Sequence, residues 1–494
     1  MVLFNRRLQD LDEAILHAQS YEEYKEVCHE HDELSGAEEW KHKNPCKDYD
    51  YRLIRKRVQR MQLAQSSGDI FGLMSILHEG LHGNLGNIAN PELKSQCKIG
   101  TKVLIETFIE QVLKAIEAIY NANENKVDFY EKLHFFEETS HSFGRSCLML
   151  SGGAGLGFFH AGVVKSLNEQ NALPTVISGA SAGSIIAGLL ATRTQEELQT
   201  CLTPEFIYET FKNWRVWRGI DKKGLFNSKY LENALIELFD LTTFEEAYKR
   251  TGRHVTVTVS PADIHQHSRL LNAKTSPNAI MSQAIRASCA VPIVFNPVQL
   301  RAKTPSGEVI PYIPNRRFAD GSLMADLPFE RLARLYGVNH SIVSQTNPLV
   351  VPFLSSERED SKSITNMTLR HISALAKRNS IFAFDILEEI IPGRATKLAL
   401  HKCRSVIDQQ YVGSINILPE KNIRNLMHIL ANPTVDSIQE LMKQGEKATW
   451  SQLDSIHRNT IISETLRSYL QQLKQREARM LKGFRPRDIV DKRA

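Results

Sequence analysis

The chain has 494 residues, of which 42% are hydrophobic and 24% charged, and a formal net charge of +5. This composition excludes a disordered chain or one built mainly of membrane spans, and the length exceeds what one hydrophobic core usually holds, so two or more domains are expected. Residues 471–494 carry eight Lys/Arg against three Asp/Glu, so the charge excess sits in a basic tail read as a solvated terminus, and no nucleic-acid partner is expected.

The seven cysteines (Cys28, Cys46, Cys97, Cys147, Cys201, Cys289 and Cys403) are scattered without a Cys-x-x-Cys pair. That spacing argues against a disulfide framework or a zinc site and fits a reducing, intracellular compartment; no metal or cofactor is expected. The sequence opens Met1-Val2-Leu3-Phe4-Asn5-Arg6-Arg7, without the apolar run of a secretory leader, so secretion is not expected. The most apolar stretch, Cys147 to Val164, is broken by five glycines and His160, which leaves peripheral contact as the expected mode of any membrane association.

Residues 1–140 read as a helical region. A basic helix is expected around Arg52 to Arg60, followed by a loop over Gly80 to Gly86. From Val103 to Tyr120, Leu104, Ile105, Phe108, Ile109, Val112, Ile116 and Ile119 recur at spacings of three and four, opposite Glu106, Glu110, Lys114 and Glu117. The spacing predicts an amphipathic helix docked on a core.

From 145 to 350 the pattern changes to short apolar strands alternating with helices, the mark of an α/β layer fold with parallel strands. Cys147–Leu150, Thr175–Ser178, His254–Val259 and Ser341–Val343 are the expected strands. Residues 351–494 return to helix, with an amphipathic stretch at Ser380 to Ile391 stopped by Pro392-Gly393 and a long polar helix from Ser463 to Leu481.

The chemistry is expected in the middle region. Gly179-Ala180-Ser181-Ala182-Gly183 follows an apolar strand and precedes a helix of small and aliphatic residues. A nucleophile on such a sharp turn has a strained backbone, and Gly179 and Gly183 supply the lack of bulk that lets strand and helix pass closely. The helix start then aims N–H groups at the reaction centre, where negative charge develops.

About thirty residues earlier runs Ser151-Gly152-Gly153-Ala154-Gly155-Leu156-Gly157-Phe158-Phe159-His160, again between a strand and a helix. As a phosphate cradle it lacks the Gly-Lys-Ser/Thr ending, the third dinucleotide-site glycine and an acidic ribose partner. An oxyanion hole is the better reading, because a glycine run leaves N–H groups able to meet a tetrahedral intermediate. His160, one turn into the helix, reads as a packing or loop-fixing residue.

The third element is Asp320, in Arg317-Phe318-Ala319-Asp320-Gly321-Ser322. Asp-Gly alone is an ordinary turn; its value comes from the need of Ser181 for a base, with Gly321 permitting the sharp turn that faces the carboxylate to the serine. A Ser-Asp-His order is the rival arrangement, with His340, His371 and His401 as candidates.

Together the glycine loop, Gly-x-Ser-x-Gly and the later Asp-Gly resemble the patatin-like phospholipase family. The run from Ser151 through Val163-Val164-Lys165, Leu173-Pro174, Ser178 to Ser184, Val338 to Pro348 and the helical N-terminal region are similar to its branch of intracellular triacylglycerol lipases from fungi, plants and bacteria. The resemblance implies a three-layer α/β/α domain with a mostly parallel central sheet between helical N- and C-terminal regions. It also implies a lipid acyl-ester hydrolase with Ser181 as nucleophile, Asp320 as base, and Gly152, Gly153, Ala154 and Gly155 as oxyanion loop, supported by Gly157, Gly179, Gly183 and Gly321.

One departure is Ala154, where the family pattern has glycine; the methyl is tolerable if its φ is negative. The His-x4-Asp acyltransferase motif of some members is absent, since none of the 17 histidines has Asp five positions on. The implied partners are a triacylglycerol or phospholipid substrate and the surface of a membrane or lipid droplet. A non-catalytic lipid-binding or scaffold protein that keeps the fold is the alternative.

Two structural expectations complete the reading. Asp320 should lie in a mostly apolar pocket with Ser181 as its main polar contact, because burial strengthens a carboxylate as a base. The segment Phe206 to Phe226 mixes Phe206, Tyr208, Phe211, Trp214, Trp217 and Phe226 with basic residues, which suits either lipid docking or an aromatic face packed on the core.

Overall fold

The structure is a computed structural model that describes residues 2–212, 229–262, 267–291, 295–321, 326–347, 351, 413–420 and 432–483. Two compact units divide the chain: one takes Met1–Ser146, Gly337–His340 and Leu453–Ala494, the other Cys147–Tyr336 and Ser341–Gln452. The region expected as one helical segment over 351–494 therefore contributes to both. Its stretch Ser380–Ile391 lies outside the described residues, as do His371 and His401.

The first unit is helical, and its core follows from the three-four spacing. The helix Val103–Asn121 buries Ile105, Phe108, Ile109, Val112, Ile116 and Ile119. They share one cluster with Ile54, Val58 and Met61 of the helix Tyr51–Ser66, Phe135 and Phe136 of Phe129–Phe143, and Leu466 and Leu473 of Leu453–Gly483. Helix starts are capped by side chains that accept otherwise orphaned N–H groups: Asp50 from Arg52 and Leu53, Asp128 from Tyr130. The buried Lys102 ammonium is satisfied by the carbonyls of Trp40 and Lys43 at 2.6 and 2.7 Å and lies 3.7 Å from the Trp40 ring centre.

The second unit is an α/β fold around a seven-stranded mixed sheet in the order β4-β3-β2-β1-β8-β9, with β7 also paired to β3. The strands are β1 Arg145–Leu150, β2 Val176–Gly179, β3 His254–Pro261, β4 Arg269–Asn272, β7 Phe318–Asp320, β8 Val338–Ser344 and β9 Ile415–Ile417; β5 Arg301–Lys303 and β6 Val309–Pro311 form a separate pair. β1/β2, β2/β3 and β8/β9 run parallel, whereas β4 and β7 run antiparallel to β3. The four expected strands are present as β1, β2, β3 and β8. β9 falls in a region expected to be helical: three residues carry too little periodicity to announce a strand, and its place is set by pairing with Ile342–Ser344.

Register places the chemistry. Val259 of β3 pairs with Arg269 on one edge and with Asp320 on the other. That second edge is the one β2 occupies further back, where Gly179 pairs with Val257. Asp320 thus sits two residues, about 6.6 Å, further along β3 than the last residue of β2. The chain leaving β2 turns off at Ala180-Ser181, directly before it.

Two helices of this unit meet at glycines. A Cβ on Gly162, in the helix Phe158–Glu169, would lie 1.8 Å from the carbonyl oxygen of Met442, and one on Gly445, in Val435–Trp450, would lie 2.2 Å from that of Phe159. Lys165 pairs with Glu446 at 2.6 Å across the same contact. Among the described residues no helix is long and apolar enough to cross a membrane.

Candidate active site

Ser181 stands between β2 and the helix Ala182–Thr192 with φ 48° and ψ −123°, a conformation strained for any residue with a Cβ. Absent side chains make the turn possible. A Cβ on Gly179 would lie 2.6 Å from the Gly183 carbonyl oxygen, and one on Gly183 would lie 2.3 Å from that of Leu150. Strand end and helix start therefore touch backbone to backbone, as the motif required.

One short segment ties Ser181 and Asp320 together. The Ser181 N–H donates to Ser288 Oγ at 2.9 Å, and that hydroxyl donates to the Thr258 carbonyl on β3 at 2.7 Å. The Cys289 thiol donates to the Ser181 carbonyl at 3.3 Å, and the Asp320 N–H donates to the Ala290 carbonyl at 2.9 Å. Gly321 closes against the same strand, since a Cβ there would lie 2.5 Å from the Thr258 carbonyl. Both candidate side chains are buried, Ser181 with 8% and Asp320 with 2% of its surface exposed. Ser288, Cys289 and Ala290 carry no motif visible without the fold, and sequence reasoning missed them.

The glycine loop joins the same place. Gly157 lies against Ala182, the residue after Ser181, closely enough that a Cβ would fall 2.5 Å from the alanine methyl. Gly152 is set apart from its neighbours, because its N–H donates to Asp326 Oδ1 at 2.8 Å and is not an open donor. Gly153, Ala154 and Gly155 follow at the start of a short 3₁₀ turn, whose first N–H groups have no carbonyl within the turn to meet. Ala154 departs from the condition set for it: its φ is +48°, not negative. The methyl is therefore carried in the left-handed region, at a cost of about 1 kcal/mol, because the loop needs that reversal to leave β1 and enter the turn.

Behind the loop lies a buried polar network. His160, fully buried, faces the Ser151 carbonyl through Nε2 at 2.9 Å, Thr346 Oγ1 at 3.0 Å, and Ser344 Oγ through Nδ1 at 2.7 Å. A carbonyl accepts only, which assigns the proton to Nε2 and leaves Nδ1 to accept from Ser344. Burial lowers the pKa of His160 to about 4, so the ring is neutral, as befits the loop-fixing role expected of it. The Thr346 N–H donates to Ser151 Oγ at 2.8 Å. His340, the described rival for a triad, bonds to Ser146 at the opposite ends of β1 and β8 and is not brought to Ser181.

Asp326 is the most informative residue that the motifs did not single out. It is buried and accepts from Gly152 and, at 3.4 Å, from the Asn347 amide. Its pKa is pushed up to about 7 chiefly by burial, with the charge of Asp320 a smaller contribution. The surroundings of Asp320 thus include a second carboxyl and the Cys289 thiol, whose ionisation the Asp320 charge also opposes, and are less apolar than expected.

Beside Ser181 and the loop lies an apolar crevice lined by Ala154, Ala182, Ile186, Phe206, Phe211 and Leu238. Of the segment expected to dock on lipid or pack on the core, Phe211 is buried and Phe206 half-buried; Trp214, Trp217 and Phe226 lie outside the described residues.

A mixed, mostly parallel sheet with a strained serine elbow, a glycine loop and an Asp-Gly strand end at one place is the architecture of a patatin domain, and comparison with known proteins agrees. The family described as patatin-like phospholipase matches residues 148–333, and a domain of unknown function, DUF3336, matches residues 1–141. The chain belongs to the patatin-like phospholipase family.

Among curated relatives it is 35% identical over 464 residues to triacylglycerol lipase 4 of Saccharomyces cerevisiae, covering 89% of this chain and 50% of that one. It is 32% identical to triacylglycerol lipase ptl2 of Schizosaccharomyces pombe over 91% of this chain and 73% of that one. With triacylglycerol lipase SDP1L of Arabidopsis thaliana it shares 32% identity over 83% of this chain and 53% of that one. The chain spans about half the length of the Saccharomyces and Arabidopsis proteins.

Proposed function

We propose that this chain is a serine acyl hydrolase of lipid esters, with Ser181 as nucleophile and Asp320 as its base. The observation that carries the reading is the register of β3, which sets Asp320 two residues ahead of the end of β2 on the edge from which the strained serine turns off. Asp320 takes the Ser181 hydroxyl proton as Oγ attacks the ester carbonyl. The negative charge on the carbonyl oxygen meets the N–H groups of the Gly153–Gly155 turn. Collapse expels the alcohol, which receives the proton, and water then cleaves the acyl-serine ester by the same route in reverse.

Lipid substrates are supported by the family and by three relatives named triacylglycerol lipases. The apolar crevice beside Ala182, lined in part by the Pro204–Phe211 helix, is where an acyl chain would start. A substrate of that class is met at the surface of a membrane or lipid droplet, and action at such a surface inside the cell is part of the proposal. The test is hydrolysis of triacylglycerol, phospholipid and lysophospholipid by wild type, Ser181→Ala and Asp320→Asn. Loss of all ester hydrolysis in both variants is expected, and full activity in either would end the proposal.

A further inference from the structure

We propose that Asp326 is a positioning residue that sets the glycine loop for catalysis by holding the Gly152 N–H; this rests on the reading of Ser181 as nucleophile. The loop begins at the end of β1 and must reverse into a 3₁₀ turn within three residues, through Gly153 at φ −174° and Ala154 at φ +48°. An unanchored glycine run would sample many such paths. Here it is fixed from two sides. Thr346 and His160 hold Ser151 through its hydroxyl and carbonyl, and Asp326 Oδ1 takes the next N–H at 2.8 Å. Asp326 is itself anchored, since its second oxygen accepts at 3.4 Å from Asn347, just beyond the β8 end that also supplies Ser344 to His160.

The consequence is a division of labour among the loop's N–H groups. The Gly152 N–H is spent on anchoring, and the donors offered to a developing oxyanion are those of Gly153, Ala154 and Gly155. A buried carboxyl with 1% of its surface exposed is a costly device for merely closing a loop, because a neutral acceptor or an apolar contact would stabilise the fold at smaller desolvation cost. What the carboxyl supplies is a short, directional bond at the residue where the loop leaves the strand. The charged group facing it is Asp320 from the β7 end; the Gly152 N–H and the side chains of Asn347 and Gln345 are its neutral partners.

The experiment measures kcat and KM on a soluble short-chain ester, and the rate at which a fluorophosphonate labels Ser181, in wild type, Asp326→Ala and Asp326→Asn, with melting temperatures for each. Asp326→Ala is expected to lose about 10²-fold in kcat with KM within about threefold, and to slow labelling in parallel, since the phosphonylated serine needs the same donors. Asp326→Asn keeps an oxygen for the Gly152 N–H and is expected to retain kcat within about fivefold.

Asp326→Ala that folds with kcat near wild type overturns the proposal, as does a loss carried by KM alone. Should Asp326→Ala not fold, the Asn variant decides: a kcat loss beyond about thirtyfold in folded Asp326→Asn would show that charge, not the hold on Gly152, is what matters, and would overturn it equally. Wild type that is not labelled at Ser181 removes the parent reading and the proposal with it, whereas normal Ser181 labelling in every variant removes the proposal alone.

Discussion

The helix Val103–Asn121 and the elbow around Ser181 are both buried, and they are held by opposite means. The helix meets its neighbours through large side chains, Phe108, Val112 and Ile116 among them, in a cluster of aliphatic and aromatic groups. Around the elbow, backbone meets backbone at Gly179, Gly183 and Gly321, and the remaining space is filled by hydrogen-bonded polar groups such as Ser288, His160 and Asp326. The first arrangement stabilises a unit and leaves chemistry untouched. The second fixes atoms in place at some cost in strain and desolvation, so changes in the two regions should separate activity from stability.

The largest expected effect is on activity. Ser181→Ala should lower ester hydrolysis by at least about 10⁴-fold with little change in melting temperature, read by kcat/KM alongside thermal unfolding. Ile116→Ala should do the reverse: it costs about 2–5 kcal/mol of stability in the helical unit, seen as a lower denaturation midpoint, with kcat of the folded enzyme unchanged. Gly162→Ala adds a methyl 1.8 Å from the Met442 carbonyl and should destabilise by about 1–3 kcal/mol, although it lies on the helix that follows the glycine loop.

A smaller effect concerns pH. The pKa of Asp326 is pushed up to about 7 in the folded protein, against 3.8 for an exposed aspartate, so between those values the folded form binds a proton that the unfolded form does not. Stability therefore falls as pH rises from about 4 to about 7 and levels off above it. Asp326→Asn removes that dependence. Its melting temperature relative to wild type should be higher at about pH 8 than at about pH 5, and a constant difference would contradict the burial argument. The smallest effect is at Ala154, where glycine relieves a positive φ while loosening the unfolded chain, so Ala154→Gly should shift stability by less than about 1 kcal/mol.

What was legible in the sequence follows the same division. Periodicity marked the Val103–Asn121 helix within a residue, and glycines two before and two after Ser181 marked the elbow, because both are local requirements of the chain. β7 and β9 are short and gain their place from partners distant in sequence, which no local pattern encodes. Ser288 and Asp326 escaped notice for that reason: an ordinary serine at a helix end and an aspartate before Leu-Pro acquire meaning only where the fold brings them to Ser181 and Gly152. The expected negative φ at Ala154 failed because a tight reversal after β1 outweighs the preference of one methyl.

The pairing of Ser181 with Asp320 is tested most directly by quenching the enzyme during turnover of a slowly deacylated ester and locating the acyl group by mass spectrometry. The adduct is expected on the peptide carrying Ser181 in wild type, formed in a burst that Asp320→Asn lacks. An adduct on another residue, or an undiminished burst in Asp320→Asn, would contradict it.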